Sequence, residues 1–143
     1  GDRDVIKAMD KLQGQSTSCP NSIAQSAAIE ALTGDQSEVG IMRAEFKKRR
    51  DYIVNRLNNI DNIKCPNPGG AFYVFPSFKA YMHSNGKIKS SDDLSMYLLE
   101  KKSLVTVSGN AFGGNGNIRF SYAASEDDLR RAMDLIEETI REI

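Results

Sequence analysis

Arg119 is the residue of this sequence best placed to do chemistry. It lies in the run Ile118-Arg119-Phe120-Ser121-Tyr122, which alternates apolar and polar at every step. In a strand, residues two apart share a face, so Ile118, Phe120 and Tyr122 point one way and Arg119 and Ser121 the other. Just upstream is a glycine-rich loop, Gly109-Asn110-Ala111-Phe112-Gly113-Gly114-Asn115-Gly116-Asn117, fed by an apolar stretch ending at Val107. A mid-strand arginine beside a loop that offers bare backbone can grip a carboxylate or phosphate through two parallel hydrogen bonds. The other reading is an arginine on a solvated sheet face. Spacing alone leaves both open.

The other residues that carry chemistry are poorly placed for it. His83 sits in a polar loop with no acid or cysteine close in sequence, which reads as a surface histidine. Ser84-Asn85-Gly86-Lys87 spells the Ser-x-x-Lys of penicillin-recognising enzymes, but in a loop and without the companion motifs. The loop from Gly109 to Gly116 lacks the Lys-Ser/Thr ending of a phosphate-binding loop and precedes a strand rather than a helix. No nucleophile stands with a base in a recognisable context. Cys19 and Cys65 are far apart in unlike surroundings. With a single histidine they make neither a disulfide framework nor a zinc site, so no metal is expected and both thiols are expected free.

The 143 residues suffice for a domain with a real core, and 19 basic against 19 acidic residues argue against nucleic-acid or anionic-membrane partners. No run reaches the apolar length of a membrane span and no signal-peptide pattern opens the sequence, so a cytoplasmic setting is expected. Gly1-Asp2-Arg3-Asp4 leads directly into a helical pattern, as a tag remnant or a piece of a longer protein would.

The elements that must hold Arg119 follow from periodicity. Asp2 or Asp4 caps a first helix with apolar positions Val5, Ile6, Met9 and Leu12, stopping at Gly14. Gln15 to Ser18 is expected extended, and Pro20 to open the next helix as its first-turn proline. That helix, Ser22 to Leu32, is rich in alanine, through helix propensity or to let another element approach closely. A long helix from about Ser37 to Asn59 carries Val39, Met42, Phe46, Ile53, Leu57 and Ile60 at three- and four-residue steps, with a basic face from Arg43 to Arg50 expected to be solvated. A turn at Pro66 to Gly70 precedes a strand from Ala71 to Phe75, ended by Pro76. Ser90 or Ser91 caps a helix with Leu94, Tyr97, Leu98 and Leu99; a strand is expected from Leu104 to Val107. Ser125-Glu126-Asp127-Asp128 starts a last helix with the stripe Leu129, Met133, Ile136, Ile140 and Ile143. The fold class expected is α/β: a short, mostly antiparallel sheet with helices packed on one side.

Three segments in register carry a family resemblance. Gly14 to Gln25 resembles the end of the large domain of bacterial-type class I aminotransferases, pyridoxal-phosphate enzymes of fold type I. Pro68-Gly69-Gly70-Ala71-Phe72-Tyr73-Val74-Phe75-Pro76 is similar to that family's first small-domain strand. Val107-Ser108-Gly109-Asn110-Ala111-Phe112-Gly113 followed by Ile118-Arg119-Phe120-Ser121-Tyr122-Ala123 resembles its C-terminal signature. Aspartate aminotransferases look nearest.

The resemblance implies that Arg119 clamps the substrate α-carboxylate. It implies that Phe72 and Tyr73 stand near the small-domain wall of the cleft, plain core packing being the alternative. It places Ser16, Thr17 and Ser18 near a dimer interface and the partner's active-site rim. Residues 1–35 would be terminal helices of the large cofactor domain and residues 36–143 the small C-terminal domain. The cofactor implied is pyridoxal 5'-phosphate in a full-length homodimer acting on amino-acid and 2-oxo-acid substrates. The family's Schiff-base lysine has no match here. No catalytic residue is therefore assigned in this chain, and alone it is expected to be inactive. Aspartate with 2-oxoglutarate is the implied pair; aromatic amino acids or prephenate are the alternative. A stand-alone module binding amino or keto acids, and an interaction domain built on the alanine-rich helix, stay open.

Overall fold

Capping residues and apolar spacing set the helices of this protein, described by a computed structural model over residues 1–84 and 86–143. Asn85, in the Ser84-Asn85-Gly86-Lys87 stretch, lies outside the described residues. The chain divides into two compact units, residues 1–40 and 41–143.

In the first unit, α1 (Arg3–Ser16) is capped by Asp2, whose carboxylate accepts from the amides of Asp4 and Val5. Val5, Ile6, Met9 and Leu12 form the expected stripe, and all four are exposed. The helix runs through Gly14, contrary to the expected stop there. An interior glycine costs a helix only about 1 kcal/mol, too little to end it. The end comes at Ser18, left-handed at φ 60, where the amides of Thr17 and Ser18 both donate to the Gln13 carbonyl. Gln15 and Ser16 are therefore helical rather than extended. α2 (Ser22–Thr33) is capped by Asn21, which accepts from the Ile23 amide at 2.8 Å, so Pro20 precedes the cap instead of opening the helix.

The second unit takes α3 (Ser37–Asn58) from Ile41 onward, β1 (Tyr73–Val74), α4 (Ser91–Lys102), β2 (Val107–Ser108), β3 (Ile118–Ser121) and α5 (Glu126–Glu142). The sheet order is β1-β3-β2, antiparallel throughout, with Val74 opposite Phe120 and Val107 opposite Arg119. The α/β class and the short antiparallel sheet stand as expected, but the strands are shorter. Ala71 is left-handed at φ 59, so the first strand starts only at Tyr73. After α4 the chain turns through left-handed Ser103, and the Leu104 amide returns to the Leu98 carbonyl at 3.0 Å. That helix cap uses the amide an outer strand at Leu104 would need, and β2 begins only at Val107.

The core gathers Ile53 and Leu57 of α3, Val74, Leu94 and Leu98 of α4, Ile118, Phe120 and Tyr122, and Leu129, Met133 and Ile136 of α5. The strand alternation thus seals the core with every second residue of β3. Leu99, counted in the α4 stripe, is exposed. The basic face of α3 is more than a solvated face. Arg49 donates to the Ala124 carbonyl at 2.7 Å and Arg50 to the Pro68 carbonyl at 3.2 Å. Beyond that face, Arg56 pairs with Asp134 and Glu137 of α5.

Glu126, in the first turn of α5, meets Lys48 at 2.7 Å and Arg130 at 2.5 Å. Hydrogen bonds from Lys48 and then Arg130 pull its carboxyl from 4.5 down to about 2. A carboxyl depressed on folding stabilises the fold above its unfolded value and stops doing so as pH falls through the folded one. Wild type is therefore expected to out-melt Glu126→Gln at pH 7, with the gap closing between about pH 4.5 and 2. Thermal melts across that range check this; a gap that persists at pH 2 contradicts it. The gap should be small and salt-sensitive, because the site is exposed.

Candidate functional site

β3 delivers Arg119 to the side of the sheet away from the core: Ile118 and Phe120 are buried and Arg119 is half-buried. Its guanidinium carbon sits over two rings, 4.5 Å from the centroid of Tyr73 on β1 and 4.4 Å from that of Phe112 in the glycine loop. Phe72 extends the aromatic surface, its ring centroid 4.4 Å from that of Tyr73. Phe72 is exposed and Tyr73 half-buried, and neither belongs to the core cluster. Phe72 also lines a cleft of about 390 Å³ with Phe46, Tyr122 and the cations Arg43, Lys47 and Arg50.

What sets Arg119 apart is its unspent hydrogen-bonding capacity. Of the half-buried arginines, Arg49 pairs with Glu45, Arg50 with Asp51 and Arg56 with Glu137. Arg119 meets no acidic partner and no acceptor among the described residues. A guanidinium carries five donors in a planar fork. Held over two rings and left without an acceptor, it can receive a carboxylate edge-on.

The loop beside it is not bare backbone, which corrects the expectation from sequence. The amides of Gly109, Gly113, Gly114 and Asn117 donate to Asn117, Asn110, Gly109 and Gly114 carbonyls within the loop. The Asn110 amide donates to Ser108 Oγ, and the Gly116 amide to Oγ of Ser91 at 2.7 Å, where Ser91 is fully buried at the start of α4. With these amides turned inward or tied to α4, the loop is not laid out as a phosphate cradle. The loop carries Phe112, whose ring lies against the Arg119 guanidinium. A second tie runs from Asn110 Nδ2 to Asp92 Oδ2 at 2.7 Å; hydrogen bonds from Ser108 and Asn110 hold the Asp92 carboxyl below its ordinary value. Phe112 in turn packs edge-on against Phe75, centroids 6.2 Å apart.

The structure thus brings Arg119, Tyr73 and Phe72 together. Ser16, Thr17 and Ser18 belong to the first unit, exposed at the end of α1. Sequence reasoning missed Phe112; its one signal is an aromatic residue within an otherwise small and polar loop. His83 is exposed. Cys19 is exposed and Cys65 buried, and burial pushes the Cys65 thiol up to about 11, away from nucleophilic use. Among the described residues no group of three or more His, Cys, Asp or Glu could hold a metal, and no helix is long and apolar enough to cross a membrane.

The model of the family described as "Aminotransferase class I and II" matches residues 1–136. The chain is 42% identical over 140 residues to an aspartate aminotransferase of Rhizobium meliloti (strain 1021), covering 95% of this chain and 34% of that protein. It is 46% identical over 132 residues to a probable aspartate/prephenate aminotransferase of Rhizobium leguminosarum bv. phaseoli, covering 90% of this chain and 33% of that one. Among solved structures, the aspartate aminotransferase from Rhizobium meliloti superposes with a TM-score of 0.82 at 41% identity, over 99% of this chain and 36% of that one. An alanine aminotransferase from Pyrococcus furiosus gives 0.85 at 34% identity, over 98% and 35%. The chain spans about a third of the length of the relatives it matches.

Proposed function

The chain belongs to the class I and II aminotransferase family, and on that premise we propose that it is the substrate-clamping C-terminal portion of a transaminase that exchanges an amino group between aspartate and 2-oxoglutarate. The observation that carries the proposal is Arg119, half-buried over Tyr73 and Phe112 with no acceptor of its own among the described residues. In this reading its fork takes both oxygens of the substrate α-carboxylate. Fixing one end of the substrate orients the bond to be broken and removes rotational freedom before reaction. The aromatic surface of Phe72, Tyr73 and Phe112 keeps water from that ion pair on one side, which strengthens it.

Residues 1–35 are assigned in this proposal to the end of a large cofactor domain and residues 36–143 to the small domain. Ser16, Thr17 and Ser18 are assigned to the rim between subunits of a cytoplasmic homodimer. Pyridoxal 5'-phosphate is the cofactor proposed for the full-length protein, where it supplies the electron sink for chemistry at the α-carbon. No catalytic residue is assigned among the chain's own residues. A second reading, transfer to prephenate, is favoured by relatives named aspartate/prephenate aminotransferase, one of them 44% identical.

Assay of the full-length protein with added pyridoxal phosphate tests both readings. Amino transfer from aspartate to 2-oxoglutarate is expected, and none from the 143-residue chain alone. Transfer to prephenate in preference to 2-oxoglutarate would select the second reading. A full-length protein that transfers to neither overturns the proposal.

A further inference from the structure

We propose that Phe112 is a positioning residue for Arg119, holding the guanidinium in the plane that a carboxylate needs; this rests on reading Arg119 as the carboxylate clamp. An arginine side chain has several rotatable bonds, and among the described residues Arg119 makes no hydrogen bond that would fix its head. Ordering such a side chain only when ligand arrives weakens binding. Two rings at 4.4 and 4.5 Å do that ordering beforehand.

The two rings differ in how they are held. Tyr73 is set by the sheet, paired opposite Ser121. Phe112 sits in a four-residue helical turn, Gly109–Phe112, closed by left-handed Gly113 at φ 71. That turn is fastened to the start of α4 by the Asn110–Asp92 bond and, further along the loop, by Gly116 donating to buried Ser91. The loop closes on itself so tightly that a Cβ on Gly114 would come within 2.8 Å of the Phe75 ring, which itself packs on Phe112. Phe112 is 50% exposed and absent from the core cluster. A large aromatic side chain that adds nothing to the core, kept in place by this many backbone restraints, is explained by the cation it lies under.

The test uses the full-length protein and succinate, a dicarboxylate that has no amino group to transfer, with affinity read by calorimetry. Phe112→Leu is expected to bind succinate about tenfold more weakly, between the sizes of an exposed and a fully desolvated cation–ring contact. Phe112→Tyr restores the ring and should restore affinity. Neither should shift the melting temperature, because the core is untouched. In an Arg119→Lys background, Phe112→Leu should change affinity much less, since the fork is already gone. If Phe112→Leu binds as wild type while Arg119→Lys is weakened, the positioning role is wrong and the clamp survives. If Phe112→Leu costs the same in both backgrounds, the residue is merely structural and the proposal also falls. If Arg119→Lys itself binds as wild type, the clamp reading is what fails.

Discussion

Arg119→Ala in the full-length protein is expected to lower kcat/KM for the amino-acid substrate by roughly a hundredfold or more. A fork-to-carboxylate pair is two charge-assisted hydrogen bonds, each contributing about 1.5–3 kcal/mol. Losing both removes about 3 kcal/mol at least, and every 1.4 kcal/mol is tenfold. Arg119→Lys keeps the charge but offers a point donor instead of a planar fork, so it should recover only part, remaining roughly tenfold below wild type. The melting temperature should hold in both variants, because Arg119 makes no ion pair among the described residues and lies outside the core cluster. Steady-state kinetics alongside thermal melts decide the matter. Unchanged kcat/KM in Arg119→Ala would remove the clamp, and a lowered melting temperature with intact kinetics would make the residue structural.

Gly109→Ala is expected to be the most damaging single methyl group in the chain. Its Cβ would stand 2.2 Å from the Gly114 carbonyl oxygen and 2.4 Å from that of Asn117. Both are backbone atoms, and neither can swing aside as a side-chain tip would. Gly109 is itself hydrogen-bonded to those residues, its amide to the Asn117 carbonyl at 2.8 Å and its carbonyl to the Gly114 amide at 2.9 Å. Relieving the clash means giving up one or both bonds, and a cost of about 3 kcal/mol is expected from overpacking plus lost pairing. Gly113→Ala is the comparison. Gly113 has φ 71 but open space around it, so the cost there is only the left-handed backbone, about 1 kcal/mol. Denaturant midpoints of the two full-length variants should separate clearly. A costlier Gly113→Ala would show that conformation, and not close approach, governs the loop.

Much of the second unit was legible because its signals are local. The caps at Ser90 and Ser125, the stripe of α5 and the alternation around Arg119 each rest on residues a few positions apart, and the structure keeps them. What was not legible depends on partners distant in sequence. Lys48 and Arg49 read as solvated because Glu126 and Ala124 are 78 and 75 residues away. The expected strand at Leu104 lost its amide to a helix cap that formed on a serine where glycine is the usual signal. Phe112 reaches Arg119 only through a turn whose shape is set by backbone hydrogen bonds and by contacts with α4. No periodicity encodes such a turn. The end of α1 was misplaced by treating one glycine as a full stop.

The pairing of β3 carries a consequence for the whole domain. Ile118, Phe120 and Tyr122 fill the core while Arg119 faces out, and this division depends on a two-residue period. Sliding β3 by one residue against β1 and β2 would exchange the two sets, driving a guanidinium into the core and Phe120 and Tyr122 out of it. One register therefore both holds the domain together and aims its arginine.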